Sequence, residues 1–155
     1  MGALAECTDL YRNALVLHPH GHPERGGTLN NLANALMKHY KHNGNMNALA
    51  ECTSLYRGAL VLCPHGHPHH GIVLSSLGNA LMEHYEYTGD KDMLAECIGL
   101  YRNALALHPH GHPHCGISLN NLAIALMKHY IRSGDMGALA ECTGCLLYTS
   151  DAADE

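Results

Sequence analysis

The chain has 155 residues, a formal net charge of −5 and a pI near 6.3, room for one domain or a short repeat array around a continuous core. That balance leaves no basic stripe to displace counterions, which excludes a general nucleic-acid binder, and no apolar run reaches the ~18–20 residues of a membrane span. The opening "MGALAECTDLYRNAL" has neither a basic start nor a long apolar stretch, so no secretory signal is read and a cytoplasmic, reducing setting is expected.

The tetrapeptide "LAEC" begins at Leu4, Leu49, Leu94 and Leu139, always 45 residues apart. A fixed period of this size marks a stack of units, each of which buries its apolar face only against its neighbours. The first element is the closing helix of a unit, followed by the loop "HPHGHPERG" from His18. Next comes "TLNNLANALMKHYKHNG", where Leu29, Leu32, Ala33, Leu36 and Tyr40 fall on one helical face. Thr28 is expected to be its N-cap and Gly44 its stop. In "NALAECTSLYRGALVLCP", Leu49, Cys52, Leu55, Tyr56, Ala59 and Leu60 share a face, and Pro64 ends the helix. The loop "CPHGHPHHG" from Cys63 follows, with Pro68 expected in the first turn of the next helix. The same order then repeats, with "HPHGHPHCG" from His108 as the third loop.

No stretch alternates with strand period. The expected fold is all-α: a right-handed α-solenoid of stacked helical hairpins with a 45-residue period, covering residues 1–144. Short side chains at Ala33, Gly78 and Ala123, and again at Ala14, Ala59 and Ala104, mark where helices approach closely. Cys7, Cys52, Cys97 and Cys142 recur at the unit period, and each is expected to face the interior as a small apolar residue.

In these residues the unit resembles a tetratricopeptide repeat. Leu29, Leu32 and Ala33 match the opening Leu-x-x-Leu-small, and Cys52, Tyr56, Ala59 and Pro64 match the small, aromatic, Ala and Pro of the second helix. Leu74, Leu77 and Gly78, the turn Gly89-Asp90, then Cys97, Tyr101, Ala104 and Pro109 repeat the match. A third unit opens with Leu119, Leu122, Ala123 and Gly134-Asp135. "GHP…SLNNLA" looks like the kinesin-light-chain-like branch and like arrays of mushroom-forming fungi. The 45-residue period is longer than the ~34 residues usual for the family. The resemblance implies a protein-binding scaffold with no enzymatic activity, whose first helices line a concave groove for a peptide or a neighbouring domain.

After Gly144 the repeat predicts "LYRNAL", and the chain reads "CLLYTSDAADE". Cys145–Glu155 resembles a translated sequencing adapter and is expected to be a non-native tail, the repeat pattern breaking in mid-helix.

Candidate peptide contacts are Asn30, Asn34 and Lys38, spaced four apart on one helix face, with their equivalents Ser75, Asn79 and Glu83, then Asn120, Ile124 and Lys128. The resemblance gives the amides a role, bonding the backbone of a peptide whatever its side chains. An alternative function uses the loops: His65, His67 and His69, and His110, His112 and His114, have the His-x-His spacing that suits Zn, Cu or Ni. Pro64, Gly66 and Pro68 interrupt any regular ligand face there, so a connecting loop with no cofactor is the first reading. A second alternative is end-to-end self-association of near-identical units. No catalytic residues are assigned: there is no nucleophile elbow, ordered triad or phosphate loop.

Overall fold

A computed structural model describes residues 2–108 and 111–151, with side chains through Cys145. Its helices are α1 (Gly2–Leu17), α2 (Arg25–Asn43), α3 (Met46–Leu62), α4 (His70–Thr88), α5 (Lys91–Leu107), α6 (Cys115–Ser133) and α7 (Met136–Asp151). No strand occurs among the described residues. The order is one closing helix, α1, followed by α2 and α3, α4 and α5, and α6 and α7, each of these pairs joined by a short turn, as the period predicts. The chain divides into two compact units, Met1–Ala80 and Leu81–Glu155.

One dipeptide makes each hairpin turn. Gly44 ends α2 in the left-handed region (φ 67°), where only glycine is unstrained, and its N–H donates to the Tyr40 carbonyl at 2.7 Å. Asn45 then opens α3, its side chain accepting from the N–H groups of Asn47 and Ala48. Asp90 and Asp135 do the same for α5 and α7, accepting from Asp92 and Gly137. A carboxylate at that end also complements the helix dipole.

In the first unit α2 packs antiparallel on α3. Leu32, Ala33 and Leu36 meet the face of Leu49, Cys52, Tyr56 and Ala59, and all of these are buried. Leu29, Ala59 and Val73 form a cluster that Leu15, Leu55 and Leu60 flank. In the second unit α6 packs on α7, with Leu122, Ala123, Leu126, Ala138 and Cys142 buried. The Cys142 thiol lies 3.4 Å from the Ala123 carbonyl, which it reaches by hydrogen bond. Leu94, Cys97, Tyr101 and Ala104 of α5 are buried like their copies in α3. Alanine or glycine at the contact registers lets the helix axes approach.

Three expectations need correction. Thr28 is not an N-cap: α2 starts at Arg25, and Thr28 lies inside its first turn, donating its hydroxyl proton to the Glu24 carbonyl. Pro68 precedes α4, which begins at His70. Cys7 is exposed, unlike Cys52, Cys97 and Cys142, which are buried. Tyr40, expected on the buried face, is half-buried. Pro109 lies outside the described residues.

Candidate functional site

The histidine loops come first, because their chemistry is densest. The loop from Pro19 begins with a tight turn in which the His22 N–H donates to the Pro19 carbonyl at 3.0 Å across Gly21 (φ 89°). Positive φ at the third turn position is the reason for glycine. Gly66 (φ 92°) serves the second loop alike, closing His67 on Pro64 at 2.9 Å. The next histidine has a fixed role. His22 Nδ1 accepts the Glu24 N–H at 3.1 Å, His67 Nδ1 that of His69 at 3.2 Å, and His112 Nδ1 that of His114 at 3.1 Å. The intervening proline has no N–H of its own, so the ring bridges the gap and its remaining proton sits on Nε2.

The residue that ends each closing helix pairs with the first turn of the next leading helix. His18 Nδ1 lies 2.8 Å from Thr28 Oγ1. Since Thr28 gives its proton to Glu24, His18 is the donor. His108 Nδ1 lies 2.9 Å from Ser118 Oγ. The middle copy has Cys63 and Val73 at these positions, and both are buried. A polar pair is thus replaced by an apolar pair, never by half of each. Burial beside His112 and His114 pushes His108 below the ordinary histidine range. Arg25 Nη1 donates to the His18 carbonyl at 2.5 Å, and at the same register His70 Nδ1 reaches the Cys63 carbonyl at 2.6 Å. Both cover a helix-end carbonyl that lacks an intrahelical partner.

Of the histidines considered for metal, His67 and His112 are therefore used by the backbone, while His65, His69 and His114 are exposed. His110 lies outside the described residues. Among the described residues no group of three or more His, Cys, Asp or Glu side chains is placed to hold a metal ion.

The amide positions divide into those with a partner and those without. Asn34 Oδ1 accepts from the Tyr56 hydroxyl at 2.7 Å, which ties α2 to α3. Asn30 Oδ1 is buried and has no hydrogen-bond partner among the described residues. Lys38 is exposed, as are Asn120 and Ile124. Ser75 is half-buried, and Asn79 and Glu83 each have a polar or electrostatic partner. Lys128 pairs with Glu86. Sequence periodicity placed Asn34 on an outer face; the Tyr56 hydroxyl that captures it is signalled by the recurrence of the same tyrosine in "SLYRGAL" and "GLYRNAL".

A cleft of about 270 Å³ lies between α1, α2 and α3, lined in part by Thr8, Arg12, Leu36, His39, Asn45 and Glu51. Arg12 spans it to Glu51 at 3.1 Å, and Arg102 makes the same pair with Glu141 in the second unit. The bidentate Arg102 guanidinium holds the Glu141 carboxyl below its usual range. Burial pushes the Cys52 thiol up to about 11 and the Cys97 thiol up to about 12, so both are neutral and inert at physiological pH.

A family model described as tetratricopeptide repeat matches residues 26–69 and 73–114, more than half of the chain. The chain belongs to the tetratricopeptide repeat family. Each matched tetratricopeptide unit contains two successive helices: α2 and α3 in the first, α4 and α5 in the second. A search of curated proteins gave no match. Tetratricopeptide units generally mediate protein–protein interaction and are typically non-enzymatic scaffolds. No described helix is long and apolar enough to cross a membrane.

Proposed function

We propose that this tetratricopeptide chain binds an extended peptide, or a loop of a neighbouring domain, on the leading-helix face that carries Asn30, Asn34, Lys38, Ser75 and Asn79. The family match to two units supports protein binding as such. One observation supports this face: the Asn30 carbonyl oxygen has no hydrogen-bond partner among the described residues. An orphaned amide oxygen costs on the order of 1–3 kcal/mol. A peptide N–H that receives it on side-chain rotation recovers that cost, so the group is held ready for a donor from outside. Lys38 on the same face supplies a cation for an acidic residue of the ligand. Helices that are already packed present these groups preformed, which lowers the ordering cost of capture.

The test is an array of immobilised 12-residue peptides probed with the whole chain. Peptides retained by the wild-type chain are expected to lose binding with Asn30→Ala and Lys38→Glu, while the thermal transition of each variant stays in place. Retained peptides that ignore both substitutions refute the assignment of this face.

A further inference from the structure

We propose that Asn43 is a site of self-modification, at which the side-chain amide is lost to attack by the Gly44 nitrogen and the turn between α2 and α3 acquires an aspartyl or isoaspartyl link. Asn43 is followed by glycine, and no other asparagine of the chain is. The other two turns carry Thr88 and Ser133 at this place. All three side chains accept from the N–H two residues on: Asn43 Oδ1 from Asn45 at 3.0 Å, Thr88 Oγ1 from Asp90 at 3.2 Å and Ser133 Oγ from Asp135 at 3.2 Å. A hydroxyl makes that bond as well as an amide does, and only the amide carries a leaving group. A side-chain turn of this kind brings the carboxamide back towards the intervening nitrogen, that of Gly44. The Asn45 N–H also draws electron density from the carboxamide oxygen, as an oxyanion donor does. Asn43 is exposed, and a Cβ on Gly44 would meet nothing within 4 Å, so a closing ring and water both have room.

The reaction balances with water alone. The Gly44 nitrogen gives up its proton and attacks Asn43 Cγ. The new N–Cγ bond forms, the Cγ–Nδ2 bond breaks, and the proton leaves with Nδ2 as ammonia. Water then opens the cyclic imide at either carbonyl. Opening at Cγ restores the ordinary backbone with a side-chain carboxylate; opening at the main-chain carbonyl leaves an isoaspartyl link, which lengthens the backbone. The Gly44 N–H is bonded to the Tyr40 carbonyl at 2.7 Å, so the last turn of α2 must open first. Helix ends fray at little cost while the rest of a fold stays closed. Either product places a carboxylate at the negative end of the α2 dipole. The isoaspartyl link also shifts the Gly44 stop relative to Asn45, whose side chain caps α3.

The experiment holds the whole chain at pH 8 and samples it over time. Trypsin releases residues 42–57, "HNGNMNALAECTSLYR", which contain Asn43, Asn45 and Asn47, all exposed. Mass spectrometry is expected to place the amide-to-acid change at Asn43 alone, because Met46 and Ala48 put side chains beside the other two attacking nitrogens. An isoaspartyl methyltransferase with labelled S-adenosylmethionine is expected to label the aged wild-type chain and not Asn43→Thr, which copies Thr88. The same chain in urea gives the rate without structure. The folded rate is expected to lie within about a hundredfold of it, as opening of one helix end requires. A folded chain slower than that reacts only on wider unfolding, which overturns the proposal. Equal conversion of Asn45 or Asn47, or equal methyl labelling of Asn43→Thr, overturns it as well.

Discussion

Two adjacent glycines in α2 should respond oppositely to the same substitution. A Cβ on Gly26 would lie 2.7 Å from Cys63 Sγ and 3.3 Å from Leu62 Cβ, whereas a Cβ on Gly27 meets nothing within 4 Å. Alanine is better than glycine in a helix by up to about 1 kcal/mol, so Gly27→Ala is expected to stabilise by ~0.5–1 kcal/mol. Gly26→Ala gains the same propensity but forces a collision with the thiol of Cys63, a residue only 1% exposed. Overpacking of this kind costs about 1–3 kcal/mol, which leaves a net loss of ~1–2 kcal/mol. Gly26 recurs as Gly71 and Gly116, while Gly27 recurs as Ile72 and Ile117; at Gly116, where His108 stands in place of Cys63, a Cβ meets nothing within 4 Å, so the collision belongs to the Cys63 copy. Urea unfolding followed by helical circular dichroism reads all three cases. Combining Gly26→Ala with Cys63→Ala removes the sulfur and should recover most of the loss, a coupling of ~1–2 kcal/mol in a double-mutant cycle. Equal midpoints for the two alanine variants, or no rescue by Cys63→Ala, would refute the close-approach argument.

Three further outcomes follow from the site geometry. Thr28→Val leaves the His18 N–H without its acceptor and should cost ~1 kcal/mol, while adding His18→Cys, which copies the Cys63–Val73 pair, should bring the urea midpoint back towards wild type. Burial lowers the His108 value, so the unfolded chain takes up protons more readily. Stability from this group is therefore full above the ordinary 6.5 and falls as pH drops below it; His108→Cys with Ser118→Val should flatten the fall between pH 7.5 and 5.5 in urea titrations. A thiol reagent at pH 8 should label exposed Cys7 at once and Cys52 and Cys97 at least about a hundredfold more slowly, until urea opens the chain, as read by mass spectrometry.

The helices were legible because the apolar residues return with helical spacing inside a 45-residue period that itself returns. Leu32, Cys52, Tyr56 and Ala59 could be placed in the core from that double regularity. Gly44 was legible for the same reason that it works, since a helix stop in the left-handed region has few other candidates. The loop side chains were not legible. Periodicity says nothing about which ring nitrogen meets which N–H, so the structural use of His22, His67 and His112 emerges only from the bonds themselves and, for the first two, from the turns across Gly21 and Gly66. Thr28 misled because a hydroxyl in a first turn and a hydroxyl at an N-cap look alike in sequence; the three residues before it extend the helix. Cys7 misled because the stripe predicts a face and not how deeply each residue on it is buried. The role of Asn34 depended on a tyrosine 22 residues away, beyond any local pattern.

The Arg12–Glu51 bridge joins residues 39 apart, and the loop pairs join residues ten apart. Each of these links closes within one period of the chain. A nascent polypeptide can therefore seal a turn of the stack while the next is still being synthesised, instead of waiting for a distant strand or terminus to arrive. Local closure of this kind favours rapid folding. It also explains how near-duplicate units avoid exchanging places: Arg12 cannot tell Glu51 from Glu96 by chemistry, and proximity along the chain makes the choice.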